Sequence, residues 1–295
     1  MDNKINRIHS KVKSFFLAKV SNLRLLFRHI TVRKYNRLAP PKISTHQYSI
    51  GIHLHIFHEE YLDKVIKHFE MLENSALYVS VPNEVFKAKL EKNLTLVQKL
   101  DVRVVPNKGR NFAPLFVEFG QELGKYDLVL HLHSKSAQKS YKRKKWAFSL
   151  WNHLLLDEKF LTAALGYFSE QKDLGLYYPR DFRWYPESIG WSGTESKSKT
   201  HFPELALEIN QATSLKFPIG GMFLTRGTNI AYISRVINDW KLFPSENTNQ
   251  DEISQGLTLE HSLERLIAQV NLHQGFDTLI YDCNFKSFII EHPSK

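Results

Sequence analysis

The sequence predicts an α/β protein, a doubly wound, mostly parallel sheet flanked by helices. Three observations carry this expectation. Short apolar runs alternate with helical patterns from residue 49 to residue 135, the signature of parallel strands joined by crossover helices. One of these runs, residues 126–135, is apolar until it ends in His131, His133, Ser134 and Lys135, as expected of a central strand covered on both faces. The chain has 295 residues, with 42% hydrophobic and 24% charged content, enough for one large α/β domain or two small ones.

Taken in order, residues 4–35 carry apolar side chains at helical spacing (Ile5, Ile8, Val12, Phe15, Phe16, Val20, Leu23, Leu26, Phe27, Ile30), with most bases on the other side. This predicts an N-terminal amphipathic helix, stopped by Pro40 and Pro41. The body then opens with a strand at 49–57, a helix at 59–74, a strand at 76–82, a helix at 84–99 and a strand at 102–106. A polar loop at 107–111 leads to a helix at 113–123 and to the central strand. Beyond it come a basic loop at 136–145, a helix at 146–156 and a strand at 174–179. A long Trp-, Tyr-, Ser- and Gly-rich loop at 181–204 follows, then a glycine turn feeding a strand within 216–226, and a helix at 259–270.

Residues 1–46 hold eleven Lys or Arg and the single acid Asp2, whereas the remainder carries 29 bases and 29 acids. The net charge of +10 therefore belongs to the N-terminal segment. A basic helix with Phe and Leu on its apolar face suits the surface of an anionic membrane. Packing on the body or on a partner is the other reading. No uncharged run there is long enough to span a bilayer, and bases interrupt any signal-like core. A neutral body argues against nucleic acid as a partner. The single Cys283 excludes a disulfide framework and a cysteine-based zinc site and fits a reducing, cytoplasmic setting.

In open α/β sheets, ligands sit beyond the carboxyl ends of the strands. Alternation places His53 with His55 on one face of the first strand, and His131 with His133 on one face of the fourth. If these strands are neighbours, two His-x-His pairs meet at the ligand edge. Such a cluster could bind a transition metal, donate hydrogen bonds to phosphates, or be a buried pair satisfied by the protein. The loop Asn107-Lys108-Gly109-Arg110-Asn111 offers a tight turn and cationic and amide donors. Gly220 and Gly221, before Met222, could bring backbone close to a ligand. On the last helix, Glu260 and Glu264 share one face, and His261 and Arg265 the next. No Walker loop, dinucleotide GxGxxG, GxSxG or HExxH element occurs, which removes support for ATP hydrolysis, nicotinamide chemistry and the common hydrolases.

Lys108-Gly109-Arg110-Asn111 with Pro114, then His131 to Lys135, then Phe217 to Phe223 with Arg226, then His261 to Arg265 occur in that order. Together they resemble the rhamnan synthesis protein F family of bacterial surface-polysaccharide assembly, over roughly residues 48–290. The resemblance implies a GT-A-like fold and a glycosyltransferase that moves a sugar, rhamnose by implication from dTDP-L-rhamnose, to a growing glycan or lipid-linked acceptor. The implied location is cytoplasmic and peripheral on the inner membrane. The domains would be residues 1–46, the basic helix and linker, and 47–295, the transferase.

Enzymes of this type carry an Asp-x-Asp metal motif after the fourth strand, where this chain has His-Leu-His-Ser-Lys. A divalent metal is thus not expected through Asp-x-Asp, and no metal ligand is assigned, with a histidine-bound ion left open. His131, His133 and Lys135 are expected to stabilise the departing diphosphate. His53, Asn107, Gly109, Arg110 and Asn111 would contact the nucleotide, and Gly220, Gly221, Met222 and Arg265 the sugar or acceptor. Glu264, or else His261, would be the catalytic base. The rivals are a non-catalytic assembly protein of the same fold, a basic nucleic-acid-binding protein and a histidine-dependent metal hydrolase.

Overall fold

A computed structural model describes residues 48–69, 76–135, 141–180, 190, 191, 193–206, 215–243 and 258–292. The expected N-terminal helix and its Pro linker lie outside the described residues. The elements are β1 (Ile50–His55), α1 (Leu62–Phe69), β2 (Ala76–Val81), α2 (Glu84–Asn93), β3 (Lys99–Val104), α3 (Gly120–Leu123) and β4 (Leu128–His133). They continue with α4 (Tyr141–Trp151), α5 (Glu158–Glu170), β5 (Leu174–Arg180), α6 (Glu195–His201), β6 (Phe223–Arg226), α7 (Gly227–Val236), α8 (Leu259–His273), β7 (Asp277–Asp282) and β8 (Ser287–Glu291).

The described strands form one sheet in the order β3-β2-β1-β4-β6-β5-β7-β8. Pairing is parallel from β3 to β4 and between β5 and β7. β6 runs antiparallel to both its neighbours, and β8 folds back on β7. The α/β class and the mostly parallel sheet are as expected, and the antiparallel β6 makes the sheet mixed. From β1 the chain moves outward through β2 and β3, then returns to lay β4 on the other side of β1. The direction of winding reverses between β1 and β4, and such reversal points open a crevice at the carboxyl ends of the strands.

Several boundaries depart from the expected ones for identifiable reasons. β3 begins at Lys99 rather than residue 102 because it is an edge strand, where Lys99 stays exposed and polar residues are tolerated. The helix expected over 113–123 is a π-helical turn, Pro114–Glu118, followed by the short α3. The helix expected from residue 146 begins at Tyr141, inside the stretch expected to be a basic loop, and ends in a second π-helical turn, Asn152–Leu156. α6 occupies part of the long loop expected at 181–204.

The β7–β8 hairpin was not expected. Its turn is closed by Asp282, whose Oδ1 accepts from the backbone N–H groups of Asn284 and Phe285 at 2.9 and 3.2 Å, an Asx turn.

The core between the sheet and α7 and α8 is rich in aromatics, including Phe112, Phe116, Phe119, Phe223 and Phe243 beside Leu263, Leu266 and Ile267. Each fully buried Phe or Leu contributes roughly 1.5–3 kcal/mol. β1 and β4 are sealed by this layer, so their polar residues must find partners inside the protein.

Candidate functional site

The β1–β4 register pairs His53 with His131 and His55 with His133, so all four histidines share one face of the sheet. They meet as expected, but below the ligand edge. His53 and His131 have no exposed surface, and His55 and His133 are also buried. The His53 and His131 rings stack with centroids 4.9 Å apart, flanked by Phe119, Phe112 and Phe223.

Their nitrogens form a chain with one consistent direction. Asn111 Nδ2 donates to His131 Nε2 at 3.0 Å. His131 Nδ1–H then donates to His53 Nδ1 at 2.9 Å, and His53 Nε2–H to Ser80 Oγ at 3.3 Å. The Ser80 hydroxyl donates to His55 Nδ1 at 2.9 Å. Every ring in this chain is neutral, which is also what burial enforces. The pKa values of His53, His131 and His133 are lowered well below the ordinary 6.5 and that of His55 to about 3, each first by desolvation and then by a neighbouring histidine or, for His133, by Lys135.

The expectations that His131 and His133 stabilise the departing diphosphate directly and that His53 contacts the nucleotide are therefore corrected. An imidazolium in that apolar layer would lose its hydration without a counter-ion. His133 Nε2–H donates instead to the Gly220 carbonyl at 2.7 Å. Ser134, at the polar end of this strand, is also buried, and its Oγ accepts from the backbone N–H groups of Phe57 and His58.

Above this layer lies a cluster of charge. Lys135 follows the end of β4 and is half-buried, with Nζ 4.5 Å from the centroid of the Trp146 ring on α4. Its pKa falls from 10.5 to about 8, because desolvation and the Arg110 charge outweigh the attraction of Glu264. The Glu264 carboxyl on α8 is raised by burial, against the pull of Lys135, Arg265 and Arg110 and a hydrogen bond from the backbone of Gly220. Both partners are shifted toward neutrality, so desolvation outweighs their mutual attraction. His261, one turn earlier, is held down to about 4 by burial and by Arg110, Arg265 and Lys135. Its Nδ1 lies 2.8 Å from Thr258 Oγ1. The sequence placed Lys135, Arg110, and His261 with Glu264 and Arg265 in three separate motifs, and they interact electrostatically in the fold.

Two strained turns frame the cluster. Gly109 and Arg110 both have left-handed backbone, φ 60° and 48°. A Cβ on Gly109 would lie 2.5 Å from Ala113 and Phe243. Arg110 has no such excuse from size, and a non-glycine residue in this region marks a backbone held by its surroundings. Gly220 and Gly221 follow with φ 95° and 69°. A Cβ on Gly220 would lie 2.7 Å from the Trp146 ring, and one on Gly221 3.1 Å from the Asn111 amide nitrogen. The 107–111 loop and the 218–222 turn thus close on each other through Asn111.

Two further candidates sit differently from their expected roles. Met222 is fully buried in the core and lines no surface. Arg265 is buried, donates to the carbonyls of Gly190 and His261 at 3.0 and 2.7 Å, and lies over Phe217, so it props the site from behind. Asn107 is exposed at the start of its loop. Trp146 was not among the expected residues, although an aromatic directly after a run of four bases was a visible signal. Among the described residues no group of three or more His, Cys, Asp or Glu side chains is arranged to hold a metal ion. No described helix is long and apolar enough to cross a membrane.

These features define an α/β protein with a partly desolvated cationic and carboxylate cluster at its switch-point edge. The family model for rhamnan synthesis protein F matches residues 5–276, and the chain belongs to that family. The match takes in most of the basic N-terminal segment, which the resemblance was expected to exclude. Membership ties the chain to rhamnan synthesis, a polysaccharide pathway. A comparison with curated proteins found no match.

Proposed function

We propose that the protein is a glycosyltransferase of GT-A-like architecture that transfers a sugar, rhamnose in this reading, from a nucleotide donor such as dTDP-L-rhamnose to a growing surface glycan. The observation that carries it is the Lys135–Arg110–Glu264 cluster at the β1–β4 crevice. The acceptor hydroxyl gives its proton to Glu264 and its oxygen attacks the anomeric carbon. The bond from that carbon to the diphosphate breaks, and the nucleoside diphosphate leaves with the electron pair. Lys135 and Arg110 meet the charge it carries away, from a site already stripped of much of its water. Raised by burial, the Glu264 carboxyl is a better proton acceptor than an exposed one. His261, neutral at pH 7, is the second choice for that role.

The buried histidines and Asn111 position the 107–111 loop rather than touch charge, and Gly220 and Gly221 shape the wall facing Trp146. Asn107, Gly109 and Arg110 remain the nucleotide contacts. The basic segment 1–46 would hold the enzyme at the cytoplasmic face of the inner membrane, near a lipid-linked acceptor.

The test is turnover of a panel of nucleotide sugars by the purified full chain. Glu264→Gln should lower it at least about a hundredfold, the usual contribution of a positioned base, with the melting temperature retained. A second reading, a non-catalytic assembly protein, draws on the His-Leu-His-Ser-Lys sequence where an Asp-x-Asp motif is expected. Nucleoside diphosphate binding without turnover of any donor would favour it.

A further inference from the structure

Helix α4 turns an unusual face to solvent. Its inner side is Ala147, Leu150 and Trp151, all buried. At 100° per residue, Tyr141, Lys144, Lys145 and Phe148 fall within a single arc on the other side. Tyr141 is 72% exposed and Phe148 63%, and both lysines are exposed. Lys145 Nζ stands 4.6 Å from the Tyr141 ring centroid. The sequence around this helix is strongly one-signed. Between Asp127 and Asp157 there is no acid, while Lys135, Lys139, Lys142, Arg143, Lys144 and Lys145 are all basic.

Large aromatic rings left in water beside ammonium groups have a natural occupant. Rings gain by entering the boundary between headgroups and acyl chains, while lysines keep their charge at the level of the phosphates. We propose that this face of α4 is a membrane contact on the folded body, docking on a bilayer that contains anionic phospholipid. Tyr141 and Phe148 enter the interface, and Lys144 and Lys145 pair with lipid phosphates. The same helix carries Trp146, over which Lys135 sits, so the contact holds the charged cluster at the bilayer surface. The docking itself does not depend on the transferase reading. That reading adds only that an acceptor carried on a lipid would arrive from this side.

The test is co-flotation of the full chain with vesicles of phosphatidylcholine, alone or with phosphatidylglycerol. Partition should require the anionic lipid. It should fall at least about tenfold in the double variant Tyr141→Ser/Phe148→Ser, from the loss of interfacial burial, and at least about tenfold in Lys144→Glu/Lys145→Glu, from the loss of attraction to anionic lipid. Melting temperature and the thermal shift by a nucleoside diphosphate should be unchanged in both. In a Phe148→Trp variant, brominated phosphatidylglycerol vesicles should quench the added fluorescence, a readout that needs no loss of binding.

Unchanged partition in both double variants would overturn the proposal, since the basic N-terminal segment would then account for all the binding. Salt-sensitive binding to duplex DNA that is lost in the charge-reversal variant, without vesicle binding by the parent, would overturn it in favour of nucleic acid. Absence of sugar transfer by the full chain, with vesicle partition intact, would count against the transferase reading alone.

Discussion

Replacing Lys135 with methionine is expected to make the protein more stable at neutral pH while removing its affinity for diphosphates. Burial lowers the Lys135 pKa from 10.5 to about 8, even with Glu264 nearby. Each unit of that shift corresponds to about 1.4 kcal/mol of unfavourable interaction with the charged form. The whole shift corresponds to about 3 kcal/mol, and partial solvent access reduces what a mutation recovers, leaving about 1–3 kcal/mol. Methionine has a similar length and can still lie against Trp146, so little packing is lost.

The pH dependence distinguishes this cause from better packing. Between about pH 8 and 10.5 the unfolded chain holds more protons at this lysine than the native protein does. Parent stability therefore rises with pH through that window, and the cost is fully present only below pH 8. Denaturant unfolding of parent and Lys135→Met at pH 7 and pH 10 measures it. The advantage of the variant should be largest at pH 7 and mostly gone at pH 10. A variant less stable than the parent at pH 7, or an advantage independent of pH, would refute the reasoning. In the same samples, a nucleoside diphosphate should raise the melting temperature of the parent and not that of the variant.

The buried histidines make the fold sensitive to acid. Below pH 6.5 the unfolded chain binds protons that His53, His55, His131, His133 and His261 refuse in the native state. Stability should drop by up to about 1.4 kcal/mol per pH unit for each of them, and a flat profile between pH 4.5 and 6.5 by circular dichroism would contradict their placement. Asn111→Ala leaves His131 Nε2 without its donor and should cost about 1–3 kcal/mol in denaturant unfolding. Asn111→Asp sets a carboxylate against that acceptor, so its deficit should shrink as pH falls and the proton needed between them arrives. Gly220→Ala combines φ 95° with a contact on Trp146 and should cost about 1–3 kcal/mol, while weakening the diphosphate thermal shift, read by calorimetry.

Local pattern was enough for the central architecture. Alternating apolar runs and helical stretches through residue 135 determined that β1 to β4 form a parallel unit, because crossover helices leave few alternatives for strands so spaced. The polar end of β4, the glycines at 109, 220 and 221 and the charged face of α8 were visible as departures from core composition. The β7–β8 hairpin was not, because its short strands mix polar with apolar residues and β8 is an edge strand with one side open.

Charge state was the property only tertiary structure could decide. A histidine in a sequence carries no record of its dielectric surroundings, and His131 and Lys135 sit four residues apart with opposite fates. One lies under Phe112 and Phe223 and stays neutral. The other emerges beside Trp146 and Glu264 and keeps a proton near neutral pH. Desolvation is set by everything packed around a group, and those neighbours come from β1, the 107–111 loop, α4, the 218–222 turn and α8, which are distant in the chain and meet only in the folded protein.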